Sequence, residues 1–327
     1  MIPQMGGGVN RLQLPAHLTG LSVAELRALS PLPEDAQRVV DSTVVSVGLE
    51  RLVFVADLLA EGLTFPLPNP MSVTEVQWDK VTKTGHAIRT MSPEARGEYQ
   101  LPNRTSQSVP VYLTMDDFSL NIRTFLASQR IGLPLDTSMI AEATRRVNES
   151  IEDAAINGAG VVVGGNSTPG LLDLVGTNAY AISTSWLTAT GAVIVANVLA
   201  MIALNQAVGR YGPFNLYVPT AVGNRLNENY SDGVTTFPVT IQQRLEQIQA
   251  GGRTIRVRTA DRLPATKVAL VQMTNDVVDV IDGQRPTSIP WTSPSGFTLF
   301  WAVMAIQIPR FKTDVNGATG ITIGTMP

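Results

Sequence analysis

Cysteine is absent from the 327 residues, and His17 and His86 are the only histidines. Disulfide scaffolds, thiolate metal centres and cysteine nucleophiles are therefore excluded. Two imidazoles also argue against a multi-histidine metal site within one chain. Charge is scarce: 16% of residues are charged, against roughly 25% in ordinary soluble domains. Lysine is scarcer still, with Lys80, Lys83, Lys267 and Lys312 the only four among 24 basic residues. No apolar run approaches the ~20 residues of a membrane-spanning helix. The best candidate, AVIVANVLAMIAL at 192–204, is broken by Asn197 and closes at Asn205, Gln206 and Gly209, so it reads as a buried core helix. The opening MIPQMGGGVN has neither a basic n-region nor an apolar h-region, so no secretory signal is expected. The sequons starting at Asn103, Asn148, Asn166 and Asn229 then carry no meaning for glycosylation. A net charge of −3 and a pI of about 5.5 speak against a dedicated nucleic-acid binder.

Catalytic motifs are missing too. No Gly-x-Ser-x-Gly elbow occurs, the nearest miss being Gly165-Asn166-Ser167-Thr168-Pro169-Gly170. There is no Gly-Lys-Ser/Thr phosphate loop, and no lysine stands between Lys83 and Lys267. Gly158, Gly160, Gly164 and Gly165 follow a predicted helix, whereas a dinucleotide fingerprint follows a strand and opens a helix. The acidic groups Asp116-Asp117, Glu149 with Glu152-Asp153, and Asp276 with Asp279 would need to converge on a pocket for acid–base work. Glu149 and Asp153 stand four apart beside Arg145 and Arg146, which reads as charge pairing along a helix or to a neighbour. Arg253, Arg256, Arg258 and Arg262 form the densest basic cluster. On a strand Arg256 and Arg258 share a face while Ile255 and Val257 point inward; subunit contacts are the first reading and phosphate contacts the second. The sequence thus predicts no enzyme, no catalytic residue, no cofactor and no metal.

What is present points to a chain covered by neighbours. Protein contact surfaces are depleted in Lys, Glu and Asp and enriched in Arg, and genomic base composition can produce the same bias. The length corresponds to about two domain-sized units. Residues 1–30, with Gly6-Gly7-Gly8, look like an extended arm ordered only by outside contacts. A helix is predicted over 34–59, opened by Pro33 and acidic Glu34 and Asp35. Pro66, Pro68 and Pro70 then mark a stiff connector.

SVTEVQWDKV and VPVYL read as the two strands of a long hairpin over 71–113, with a polar, turn-rich stretch between them. An isolated two-stranded hairpin is marginal in water. Val76, Trp78, Val109 and Val111 have no helix nearby in sequence to cover them, so this arm is expected to lie on another subunit. Lys83, Arg89 and Arg104 on the same arm are further candidate intersubunit contacts.

The best helix runs over 137–157, capped by Asp136 or Thr137, with Ile140, Ala143, Val147, Ile151 and Ala154 on one face and Gly158 as its stop. A Gly-rich loop, the strand-poor LLDLVGTNAYAI and a long apolar helix over 186–208 follow. From Pro213 the pattern is α/β: FNLYV, TIRVR and KVALVQM as strands, with helices over 220–230 and 239–249. FTLFWAVMAIQIPRF is a long buried strand interrupted at Pro309, and ATGITI closes the pattern.

Phe118 with Leu120, Gly132 with Leu135-Asp136, and the run Glu152-Asp153-x-x-Ile156-Asn157-Gly158, followed by Gly170-Leu171, form an ordered set of motifs. This set resembles the shared core of encapsulins and tailed-phage major capsid proteins of the Hong Kong 97-type fold, over most of the chain. The resemblance implies an α+β fold with an N-terminal arm and helix (1–70), an E-loop hairpin (71–113), a peripheral domain (114–185 plus 297–327) carrying the spine helix, and an axial domain (186–296). It implies a structural subunit that tiles an icosahedral phage head around double-stranded DNA, located in the virion and assembled in the host bacterial cytoplasm. The alternative is an encapsulin shell holding an enzyme cargo.

The implied partners are many copies of the chain itself as pentamers and hexamers, with a decoration or cement protein, a scaffold and a portal, weakly held DNA, and no membrane. Thr235 and Thr236, in the uncharged turn at 233–238, become the candidate contacts at ring centres. Some relatives of this fold join a hairpin lysine to an asparagine of another subunit with the help of a glutamate. Here Lys80, Lys83 and Asn316 are in place, but no Glu follows Glu246, so self-crosslinking is not expected.

Overall fold

The computed structural model describes residues 42–44, 52–81, 104–121, 138–293, 297–314 and 316–327, together with positions 89, 91 and 123. The first lobe is built on a long helix and a four-stranded sheet. Helix α1 (Phe54–Ala60) leads into β1 (Thr64–Pro66), a 3-10 turn at Pro70–Ser72, the hairpin β2 (Glu75–Val81) and β3 (Arg104–Pro110), and then β4 (Thr114–Asn121). Helix α2 (Ser138–Asn157) follows, and a two-residue-per-strand hairpin, β5 (Val162–Val163) and β6 (Asn166–Ser167), occupies the predicted Gly-rich loop. Gly164 and Gly165 make its turn with φ of +57° and +86°, a conformation side chains resist.

The second lobe holds β7 (Asn178–Ala181), α3 (Gly191–Ala207), β8 (Phe214–Val218), α4 (Thr220–Leu226), β9 (Asn229–Ser231), β10 (Thr236–Thr240), α5 (Ile241–Glu246), β11 (Gln249–Ala250), β12 (Arg253–Thr254), β13 (Arg256–Thr259) and β14 (Lys267–Gln272). The chain returns to the first lobe for β15 (Val278–Thr292) and β16 (Thr298–Phe311), then to the second for β17 (Ile321–Thr325). The first-lobe sheet has the order β1-β15-β16-β4, and the second-lobe sheet β13-β8-β14-β17-β7. Sheet membership therefore differs from the predicted division at three strands. β15 belongs with the spine helix, while β7 and β17 belong to the α/β lobe.

The alternation along β16 explains its unbroken apolar run. Leu299, Trp301, Val303 and Ala305 face the core beneath α2, whereas Ile306 and Ile308 face the hairpin, so both surfaces of the sheet are covered. β16 is not interrupted at Pro309. Val280, opposite Pro309, turns its N–H away to Leu63 O, so Pro309 stands where its nitrogen faces the outer edge, beyond the last β4 pair at Ala305–Thr114. β8 is buried along its whole length for the same reason: Phe214, Leu216 and Val218 fill the α/β lobe, and Tyr217 belongs to the core of the other lobe.

Several predicted boundaries move. The chain is helical at 42–44 but not at Leu52 and Val53, so the 34–59 helix is broken there and α1 begins at Phe54; residues 34–41 and 45–51 lie outside the described residues. The returning hairpin strand is 104–110 rather than VPVYL. α3 starts at Gly191, preceded by a turn at 186–188 and the extended Thr190, and a Cβ on Gly191 would lie 2.6 Å from the Tyr230 ring. Predicted helix 239–249 shrinks to α5 because a capping box fixes its start: Gln243 N–H donates to Thr240 Oγ1 at 3.2 Å and Thr240 N–H to Gln243 Oε1 at 3.1 Å. Predicted helix 220–230 ends at Leu226, its last residues turning into β9.

Candidate functional site

Among the described residues no cluster of three or more His, Asp or Glu could hold a metal ion. What the structure offers instead is a set of surfaces and the devices that hold them. The signature at the end of α2 is the first. Glu152 is buried, and its carboxylate accepts the N–H groups of Phe54 (2.7 Å) and Val55 (3.2 Å), tying the start of α1 to the spine helix. Burial pushes its pKa up to about 7, opposed by those N–H donors and helped by the nearby Asp261. Asn157 donates to Asp153 Oδ1 at 2.8 Å, and Ile156 is buried in the core.

Gly158 ends the helix at φ +88°. Beside it the chain recrosses so closely that a Cβ on Gly170 would lie 2.6 Å from Ile156 O. Leu171 and Leu172 then donate to Ala155 O (2.9 Å) and Ile156 O (3.0 Å), closing the end of the helix.

The second device is the hairpin. Val76 and Val109 are buried against Ile281, Ile306 and Ile308, and Trp78 and Val111 pack on the same cluster. These four side chains, which have no helix nearby in sequence, find cover on a sheet of their own chain: both faces of the β15–β16 ribbon are apolar, and the hairpin base covers the one α2 does not. Arg104 is exposed and stands 4.0 Å from Asp79 across the hairpin, and Arg89 is exposed. Lys83 lies outside the described residues. Asn316 is exposed in a turn where Ala318 N–H donates to Asp314 Oδ1 at 2.8 Å. Lys80 donates to Thr313 Oγ1 of that segment; desolvation lowers its pKa and Asp314 works against the shift.

The α/β lobe carries two exposed features. Thr235 and Thr236 stand at the tip of the β9–β10 hairpin, held by Asp232, whose Oδ1 accepts from Val234 N (2.8 Å) and Thr235 N (2.7 Å); these bonds hold its carboxyl below the usual range. Val234 beside them is 95% exposed. Helix α3 is apolar on both faces: Ile194, Val198, Met201 and Ile202 are buried in the lobe's core with two asparagines among them. Its inward face carries Asn197 and Asn205, which accept from Tyr180 OH (3.1 Å) and from Asn178 Nδ2 and Thr322 Oγ1 (both 2.9 Å). Its outward face presents Val193, Leu199 (48% exposed) and Leu204, and no charged residue occurs from 191 to 209.

The arginine cluster is used within the chain. Arg253 and Arg256 each reach Glu61 at 2.6 Å, Arg258 reaches Asp57 at 3.1 Å, and Arg262 reaches Glu149 at 2.6 Å. Both earlier readings, subunit and phosphate contacts, give way to a joint between the lobes. The acidic side of that joint was missed: α1 lay inside a longer predicted helix, so Asp57 and Glu61 carried no separate signal. Arg310 and Asp279, paired in the sheet, were also missed. The available hint was an arginine inside a buried apolar strand, which has to find a partner.

A spine helix on a four-stranded sheet, a long hairpin at its side and an α/β lobe reached twice by the chain define the Hong Kong 97-type capsid fold. The chain belongs to a family of unknown function (DUF6260), whose model matches residues 26–324. In structure it is similar to the virus-like particle from Pyrococcus furiosus, at 15% identity over 89% of this chain and 98% of that one, with a TM-score of 0.59. It is similar to the capsid of Myoviridae Phage XM1 at 13% identity over 82% and 91%, TM-score 0.62. The capsid of the native GTA particle matches at 12% identity over 84% and 91%, TM-score 0.57. Among curated proteins, none matches this sequence.

Proposed function

We propose that this chain is the major capsid protein of a tailed phage, a structural subunit that assembles with copies of itself into an icosahedral head around double-stranded DNA. One observation carries the reading beyond fold likeness: α3 is apolar on its outward face as well as its inward one, with Val193, Leu199 and Leu204 exposed and no charged residue, whereas a helix meant for water carries a polar outer face. Such a lobe is finished by neighbours. The spine-helix lobe then takes the peripheral position and the α/β lobe the ring centres of pentamers and hexamers, with the tip at Thr235 and Thr236 nearest the axis. Scaffold, portal and cement proteins and weak, non-specific DNA contact belong to this reading, as does a virion location after assembly in the bacterial cytoplasm.

The second reading is an encapsulin shell, favoured by the match to 98% of the Pyrococcus furiosus particle chain. Negative-stain microscopy of the purified full chain, with analysis of particle contents, tests both. Closed shells are expected. Nucleic acid within shells from infected or induced cells supports the phage head, a packaged enzyme supports the encapsulin, and a small monodisperse species without shells overturns both.

A further inference from the structure

The β2–β3 hairpin forms a sheet of its own, so among the described residues it is joined to no other strand by a ladder. Side chains hold it. Alternate residues of β2 meet the end of β16 and the residues after it in order: Val76 packs on Ile306 and Ile308, Trp78 lies against Arg310, and Lys80 donates to Thr313. Arg310 stands at the centre. It is only 5% exposed, and it grips its cross-strand partner Asp279 with two bonds, Nε to Oδ1 at 2.8 Å and a terminal nitrogen to Oδ2 at 2.6 Å. Lys312 sits 2.7 Å from the same carboxylate, so two cations share one anion and the cluster keeps a surplus positive charge. That charge meets the rings of Phe65, 4.6 Å from the guanidinium carbon, and Trp78, 5.1 Å away.

A buried ion pair is a poor means of gaining stability, since apolar side chains of similar volume do as well or better. A flat, delocalised cation does something leucine cannot, which is to fix how an aromatic ring lies against it. Among the described residues the Trp78 indole N–H is buried without an acceptor, so no bond at the polar edge of the ring orients it there. The ring face does.

We propose that Arg310 is the positioning residue of the hairpin arm: through its stack with Trp78 it sets the angle at which the arm leaves its own subunit to reach the next. This rests on the assembly reading, but the setting of the arm is measurable in the subunit itself. The test uses the full chain with Arg310→Met, Trp78→Leu and Trp78→Phe, followed by hydrogen exchange and by particle yield. In Arg310→Met and Trp78→Leu, amides of 75–81 and 104–110 are expected to exchange at least about tenfold faster while 138–157 are unchanged, and particle yield to fall by about the same factor.

Trp78→Phe keeps the ring face and is expected to behave like the parent in both measurements. Parental exchange in the hairpin of Arg310→Met and Trp78→Leu overturns the proposal. So do loosened hairpins that still build normal shells. If Arg310→Met does not fold, the Trp78 pair decides alone. If the parent chain builds no shells, the assembly reading fails, and the exchange rates still decide whether Arg310 sets the arm.

Discussion

Glu152 shows what one side chain is asked to do in this fold. Its carboxylate holds the first N–H groups of α1, which in turn carries the acidic half of the joint between the lobes. Burial dominates its titration, holding the folded-state pKa at about 7 against an ordinary 4.5. A raised carboxyl pKa means the folded state binds its proton more tightly than the unfolded one. Stability from this group is therefore complete below pH 4.5 and declines as the pH climbs to about 7, by ~3 kcal/mol at most. Glu152→Gln should flatten that slope and lower stability at pH 5, because its amide keeps one acceptor oxygen for two backbone N–H groups; urea midpoints at pH 5 and pH 8 would show it. A parental slope in the variant would mean that other groups set it. The residue was visible in the sequence as part of a motif. Its physical task was not, because Phe54 and Val55 lie almost 100 positions away.

Among elements, the legible ones had a period or a long run. α2 was clear from its apolar spacing, and β16 from fourteen largely apolar residues. β15 was invisible because Gly283, Pro286 and Pro290 read as punctuation. The strand absorbs them: it bulges between Asp282 and Thr287, and beyond Asp282 it has no partner on the β1 side among the described residues. Pro290 sits opposite Trp301, and since Ser293 N–H bonds Thr298 O, alternation turns the Pro290 nitrogen toward that open side.

Two element-level outcomes follow from packing. Gly170→Ala forces a methyl against the backbone at Ile156 and Asn157, both 2.6 Å away, and should cost about 3 kcal/mol, read as a lowered melting temperature. Leu199→Glu places a charge on the outward face of α3. It should leave subunit stability within about 0.5 kcal/mol of the parent by urea titration, yet abolish shells in the microscope.

For the whole molecule, the two lobes share more than a linker. Tyr217 of β8 sits in the core of the first lobe and donates to Asp57 at 3.1 Å, beside the arginine pairs that cross the same joint. The lobed plan was legible from the order of motifs, while the exchange of strands between lobes was not, because pairing between β14 and β17 leaves no local mark. Thr235→Asp with Thr236→Asp should load repelling charge on each tip and suppress rings while the subunit still folds; unchanged rings in the microscope would put the axis elsewhere, with 261–265 the next candidate. Boiled, denatured particles should run as a single band of the 35.0 kDa chain, because Lys80 is already engaged by Thr313 of its own subunit. A ladder that vanishes in Lys83→Ala would show the opposite.

The place of β17 has a kinetic meaning. Its residues 321–325 lie between β14 and β7, in the interior of a sheet whose other strands come from 178–272. While the ribosome is still making β15 and β16, that sheet has a gap in it, with β7 stranded from β14. The α/β lobe therefore cannot close during its own synthesis. Its sheet is completed only when the last strand arrives, in a pairing that brings Asn178 to Thr322, and contacts of such high sequence separation are the kind that slow folding.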